Sequence, residues 1–198
     1  MKRHHQSGFT LIELITVIVI VAILATFALP RFANLQQNSR VAVLQGMQGS
    51  MRSAIAVARV NALANGLSVL PSNPGNSAQD SHLIQMEGFS VEVDWRNLCP
   101  ESSGERGDAK DMYHFLNLTE STLTITSDIT STNTPQINTL NGQIQLWYGN
   151  RYTVVGYDLD QNPSRNVNYY SNLNPGCYVF YDSFGLPECT INMVTDEC

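Results

Sequence analysis

The sequence predicts an α+β protein in which one long N-terminal helix, apolar in its first half and amphipathic in its second, packs on an antiparallel β-sheet with a disulfide-bonded C-terminal region. Three observations predict it: a 21-residue run, Phe9 to Leu29, whose only charge is Glu13; apolar residues recurring every three or four positions up to Ala64; and a remainder rich in Asn, Ser, Thr and Gly, broken by short β-prone runs. A chain of 198 residues has room for one ordinary domain and a long extra element, not for two large domains.

Residues 1–8, MKRHHQSG, form a polar leader whose Lys2 and Arg3 hold it on the cytoplasmic side of a membrane. Residues 9–29 follow as a membrane-length helix, about 30 Å long at the standard rise. Three origins compete for such a segment: a cleaved secretory signal, a plain anchor, or a segment cut before its apolar part. A secretory signal needs small residues at its cleavage site, and Thr26-Phe27-Ala28 offers only a mediocre one, with Pro30 just beyond the cut. Glu13 argues more strongly against it, because a carboxylate inside an apolar helix costs about 2.5–3.5 kcal/mol on insertion scales and marks a functional pairing. No Lys, Arg or His occurs between His5 and Arg31, so a positive partner has to come from another chain. Cleavage after Gly8 would supply one, since the free α-amine of Phe9 in one chain could neutralise Glu13 of a neighbour.

The run Gly8-Phe9-Thr10-Leu11-Ile12-Glu13-Leu14-Ile15 resembles the processing motif of type IV prepilins and pseudopilins. Ala28-Leu29-Pro30-Arg31-Phe32, Asn34-Leu35-Gln36, Leu44-Gln45-Gly46 and Cys177-Tyr178-Val179-Phe180-Tyr181 are similar to the mannose-sensitive haemagglutinin (MSHA) branch of the type IV pilins. The resemblance covers residues 8–64 firmly and the rest loosely. It implies cleavage between Gly8 and Phe9 by a prepilin peptidase, N-methylation of Phe9, and Glu13 as the residue that sets register in a helical homopolymer. It also implies assembly machinery in the inner membrane, with the head in the periplasm before assembly and an extracellular pilus for adhesion and biofilm formation afterwards.

Residues 30–64 continue as an amphipathic helix with Val41, Leu44, Met47, Met51, Ile55, Ala58 and Ala62 on one face, and Gly66 ends it after Asn65. Pro30 lacks an amide hydrogen and its ring meets the carbonyl of Thr26, so a kink or local unwinding is expected there. In related pili this region can lose helical order on assembly. Gly46, Gly49, Ser50 and Ser53 read as small residues of core packing, and Met47 and Met51 as gap fillers.

Residues 65–198 form the periplasmic head, with β-prone runs at 89–95, 122–127, 143–148, 151–158, 177–182 and 189–194. Gly149-Asn150 reads as a two-residue hairpin turn that sets Ile144 opposite Val155 and Leu146 opposite Thr153. Polar loops are expected at 71–81, 100–111, 128–142 and 159–176; in the last, Tyr169 and Tyr170 serve loop packing or subunit contact, with a glycan contact as the alternative. The four cysteines all lie beyond the membrane segment, which suits an oxidising periplasm and two disulfides. Of three possible pairings, Cys99–Cys177 with Cys189–Cys198 is favoured, because a turn near Phe184 to Pro187 puts Cys177 and Cys189 out of register.

No catalytic residue is expected: GxSxG, HExxH, P-loop and GxGxxG patterns are absent, and His82 and His114 read as surface histidines. No cofactor or metal is expected either. The cysteine spacing does not suit zinc, and Asp158-Leu159-Asp160-Gln161-Asn162 fails as an EF-hand because Pro163 and Tyr169 stand where Gly and Glu are needed. The resemblance leaves a calcium-ordered loop of the pseudopilin kind as an alternative to hydrated turn carboxylates. The chain carries 11 basic against 17 acidic residues, two of the basic ones in the leader, so nucleic acid is excluded as a partner. The leading function is a pilus subunit; a type II secretion pseudopilin and a singly anchored periplasmic enzyme or binding protein are the alternatives.

Overall fold

The computed structural model describes residues 9–75, 80–86, 88–103, 109–110, 112, 136–140, 143–148, 150–157 and 167–198. Gly8, His114, the run 122–127, the Asp158–Asn162 segment and Gly149 lie outside the described residues. The chain divides into two compact units, Met1–Ser39 and Arg40–Cys198. Helix α1 is assigned over Leu11–Ala64 without interruption, so the backbone at Pro30 is helical and not unwound.

In the second unit, α1 buries Leu44, Met47, Met51, Ala58 and Ala62 of the expected stripe and Ala54 beside them, while Val41 and Ile55 are half-buried. It ends in a Schellman motif. Gly66 takes a left-handed φ of 79°, its N–H donates to the Leu63 carbonyl, and the Leu67 N–H donates to that of Ala62, each at 3.0 Å. Leu67 then packs on the cluster that contains Ala62. Gly46, Gly49, Ser50 and Ser53, in contrast, are exposed, and a Cβ at either glycine would meet nothing within 4 Å. These four residues take no part in the core; the helix turns them toward solvent because the buried stripe runs through Leu44, Met47, Met51 and Ala54.

Two sheets meet the helix. A three-stranded sheet of β1 (Leu83–Met86), β2 (Phe89–Glu92) and β3 (Ala109–Lys110) has β1 antiparallel and β3 parallel to β2. It packs Ile84, Val91, Val93 and Leu98 on Ala58 and Ala62. A five-stranded antiparallel meander follows: β4 (Gln136–Leu140), β5 (Gln143–Tyr148), β6 (Tyr152–Tyr157), β7 (Cys177–Asp182) and β8 (Thr190–Val194). Alternation along its central strands is complete. Val155, Cys177, Val179 and Tyr181 face Leu44, Met47, Met51 and Ala54, while Val154, Tyr178 and Phe180 face the other way. That second face is covered too, by Tyr170 of the short helix α2 (Val167–Ser171), whose ring stands edge-on to Tyr178 at 5.1 Å. The Tyr169 and Tyr170 segment therefore packs as a structural cap.

The sheet departs from the sequence reading in three places. β4 falls inside the expected loop 128–142, and β1 and β3 were not anticipated. The β5–β6 hairpin is shifted by one residue: Ile144 faces Gly156, Leu146 faces Val154, and Tyr148 faces Tyr152, so the connection has three residues. The shift follows from how the loop is held. The Asn150 carbonyl accepts from the Ser102 N–H at 2.7 Å, the Arg151 carbonyl accepts from the Ser183 N–H at 2.9 Å, and the Arg151 guanidinium clasps Asp182 through two bonds of 2.8 and 2.9 Å.

The disulfides are Cys99–Cys189 and Cys177–Cys198, correcting the favoured pairing. Strand register explains it. Tyr178 pairs with Val194 and Asp182 with Thr190, so Cys189 enters β8 at one end of β7 and Cys198 leaves it at the other, beside Cys177. Crossing the five residues of β8 in extended form carries the chain about 17 Å, far beyond disulfide reach for Cys189–Cys198. The β7–β8 turn is fastened to the segment around Cys99, where the Asn97 side-chain amide donates to the carbonyls of Ser183 and Gly185 at 2.7 and 2.9 Å.

His82, read as a surface residue, is buried beside the first sheet, because its carbonyl accepts from the Val93 N–H and draws it into line with β1 and β2. Its Nδ1 lies 3.3 Å from the Ser81 hydroxyl.

Candidate processing and assembly site

The first unit carries its chemistry in its first five described residues. Phe9 and Thr10 are not helical, and α1 starts at Leu11 because Thr10 caps it. The Glu13 N–H donates to the Thr10 hydroxyl at 3.3 Å. In return the Glu13 carboxylate accepts from the Thr10 N–H at 2.9 Å and from its hydroxyl at 2.7 Å. This reciprocal T-x-x-E arrangement is a capping box, which satisfies otherwise orphaned groups at the helix start and sets a negative charge where the helix dipole favours it.

The sequence reading looked for a cation across the chain boundary and missed Thr10, although the T-x-x-E spacing was present to signal it. Thr10 supplies hydrogen bonds and no charge, and no cation pairs with Glu13 among the described residues. Phe9, 79% exposed, stands directly before the cap in non-helical backbone.

Beyond Glu13 the surface is uniformly apolar. Leu11–Ala28 has a mean hydropathy of 2.8 with none of it buried, and it is long and apolar enough to cross a membrane. Its two hydroxyls are turned back onto the helix: Thr16 donates to the carbonyls of Ile12 and Glu13, and Thr26 to that of Ile23. A polar group with its bonds satisfied within the helix is tolerable in hydrocarbon.

These features match known proteins at the same end of the chain. Residues 3–29 fit the family described as the prokaryotic N-terminal methylation motif. The start of this chain is similar to that of type IV pilins and of a type II secretion protein. Over 56 residues, 28% of this chain and 48% of the relative, it is 47% identical to the type IV narrow pilus major component PilA5 of Thermus thermophilus. Over 50 residues, 25% of this chain and 32% of the relative, it is 46% identical to the type IV major fimbrial protein FimA of Dichelobacter nodosus. The type II secretion system core protein G of Pseudomonas aeruginosa is 32% identical over 84 residues, 40% of this chain and 59% of that protein. The chain thus spans about half or less of the two pilins it matches. No solved structure matches it.

Among its described residues the head shows no second constellation of this kind. Among the described residues no group of three or more His, Cys, Asp or Glu is arranged to hold a metal ion. Two of its arginines are used in packing: the Arg96 guanidinium lies 4.3 Å from the Phe184 ring centre while pairing with buried Asp94, and Arg151 lies 4.6 Å from that of Tyr152 while pairing with Asp182.

Proposed function

We propose that this chain is a structural subunit of a type IV pilus of the MSHA-like kind. It is cut between Gly8 and Phe9 by a prepilin peptidase, N-methylated on Phe9, held in the inner membrane by residues 9–29, and polymerised into a surface filament for adhesion and biofilm formation. It is not an enzyme. The observation that carries this reading is the Thr10–Glu13 capping box at the start of a wholly exposed apolar helix. It leaves Phe9 in accessible backbone and keeps a carboxylate poised within lipid for a neighbour's amine. Pro30 is where such a helix would yield under load, and Glu13 sets the register of adjacent subunits.

Intact-mass analysis of protein sheared from the surface of cells that express it natively tests the reading. A chain beginning at N-methylated Phe9 supports it. One beginning at Leu29 means ordinary secretion, and one at Met1 a plain anchor. The second reading, a pseudopilin, is favoured by the 84-residue similarity to the type II secretion protein; short periplasmic fibres and no surface filaments under the electron microscope would select it.

A further inference from the structure

Among its described residues, the unit Arg40–Cys198 carries an exposed arginine on its helix and two exposed carboxylates at its C-terminal tip that it does not pair internally. Between residues 40 and 64 the helix has three arginines and no Asp or Glu, whereas residues 65–198 set five basic residues against sixteen acidic ones. Arg40 lies over the Tyr157 ring at 5.1 Å, and Arg59 pairs with Glu188 at 3.0 Å. Arg52 is exposed and makes no hydrogen bond or ion pair among the described residues.

Arg52 also heads a row of residues one turn apart, Arg52, Ala56, Val60 and Ala64. From Ala56 onward that row lines an open apolar groove, in which Val57 and Val60 are 51% and 67% exposed. The complementary surface is the C-terminal tip. Asp196 and Glu197 are exposed and have no partner among the described residues. The tip is held rigidly, by Cys177–Cys198 and by the Glu197 N–H donating to the Gly176 carbonyl at 3.1 Å.

We infer that the Arg52–Ala64 row of one copy receives the Asp196–Glu197 tip of a second copy. This rests on the polymer reading above and specifies a contact within it. A helical polymer needs a heterologous interface, two different surfaces that complement each other, and these two do so by charge. A two-fold contact of this row with itself would bring no carboxylate to Arg52, since neither the row nor the groove lining contains Asp or Glu. The groove next to Arg52 offers apolar surface for the tip to cover, and the pre-fixed tip gives up little freedom on docking.

Charge exchange in the full-length chain, expressed with its native assembly machinery, tests this. Arg52→Glu and the double change Asp196→Arg with Glu197→Arg should each lower sheared filament, relative to processed subunit in the membrane, by about tenfold, and all three together should restore it to within about threefold. Normal filaments from Arg52→Glu would overturn the inference. So would a triple variant no better than its parents, since Arg52 would then be meeting some other component. In filaments of Arg52→Lys, a zero-length carbodiimide should link position 52 to Asp196 or Glu197 and give a ladder of multimers; filaments with both peptides recovered but no such link count against the contact even if the charge variants misfold. Absence of filaments from the unchanged chain would overturn the polymer reading itself, and this contact with it.

Discussion

Gly156 lies directly opposite Tyr178 in the β6–β7 ladder, and a Cβ on it would come within 2.7 Å of the Tyr178 Cβ and closer still to the Cys177 carbonyl. The glycine lets the two strands approach where Tyr178 turns its ring onto Tyr170. Gly156→Ala should therefore destabilise the head by about 1–3 kcal/mol through overpacking against backbone, and Gly156→Val by more. Thermal melting of the full chain in detergent, followed by near-ultraviolet circular dichroism of the tyrosines, measures it.

The two disulfides should contribute unequally. Cys99–Cys189 closes a separation of 90 residues and Cys177–Cys198 one of 21, which chain-entropy reasoning converts to about 4.6 and about 3.4 kcal/mol of constraint on the unfolded chain. Replacing Cys99 and Cys189 together by Ser should lower the melting temperature more than replacing Cys177 and Cys198. Peptide mapping without reduction should recover both pairs as they stand in the fold.

What was legible in the sequence followed periodicity and local chemistry. The Leu44–Ala62 stripe could be read because a helix repeats its face every three or four residues, and the Gly66 stop because only a left-handed residue completes that turn. What was not legible depended on distant contacts. The Gly149-Asn150 dipeptide suggested a two-residue turn, but Arg151 is drawn into the loop by Asp182, thirty-one residues away in sequence. The cysteine pairing depended on the same β7–β8 register. At the site, Glu13 stood out as the one charge in an apolar run, while Thr10, an ordinary residue whose T-x-x-E spacing gives it meaning, was passed over.

Asp94 should make the head's stability depend on pH in the direction opposite to an ordinary ion-paired carboxylate. Burial pushes its carboxyl up and outweighs the Arg96 N–H and guanidinium, which pull it down. A group raised in the folded state holds its proton more tightly there than in the unfolded chain. Its contribution is thus complete below the ordinary carboxylate range and is lost as pH rises through the raised value. Asp94→Asn should flatten that part of the decline in melting temperature as pH rises above the ordinary carboxylate range. An unchanged profile would assign the dependence to other groups.

Thr10 should matter to assembly through Glu13. Thr10→Val removes the hydroxyl that donates to the Glu13 carboxylate and accepts from its N–H, at about 1 kcal/mol of helix-capping free energy, while keeping the shape of the side chain. Thr10→Ser keeps the hydroxyl. If the capping box sustains a charged Glu13 in lipid until a neighbour's amine takes over, Thr10→Val should yield processed subunits that accumulate in the membrane and few filaments, with Thr10→Ser close to the unchanged chain. Glu13→Ala should fail at the same step, and combining it with Thr10→Val should add little, because both act on one interaction. Quantifying sheared filaments against processed membrane subunit for all four chains decides it: additive losses would mean that Thr10 serves assembly by a route independent of Glu13.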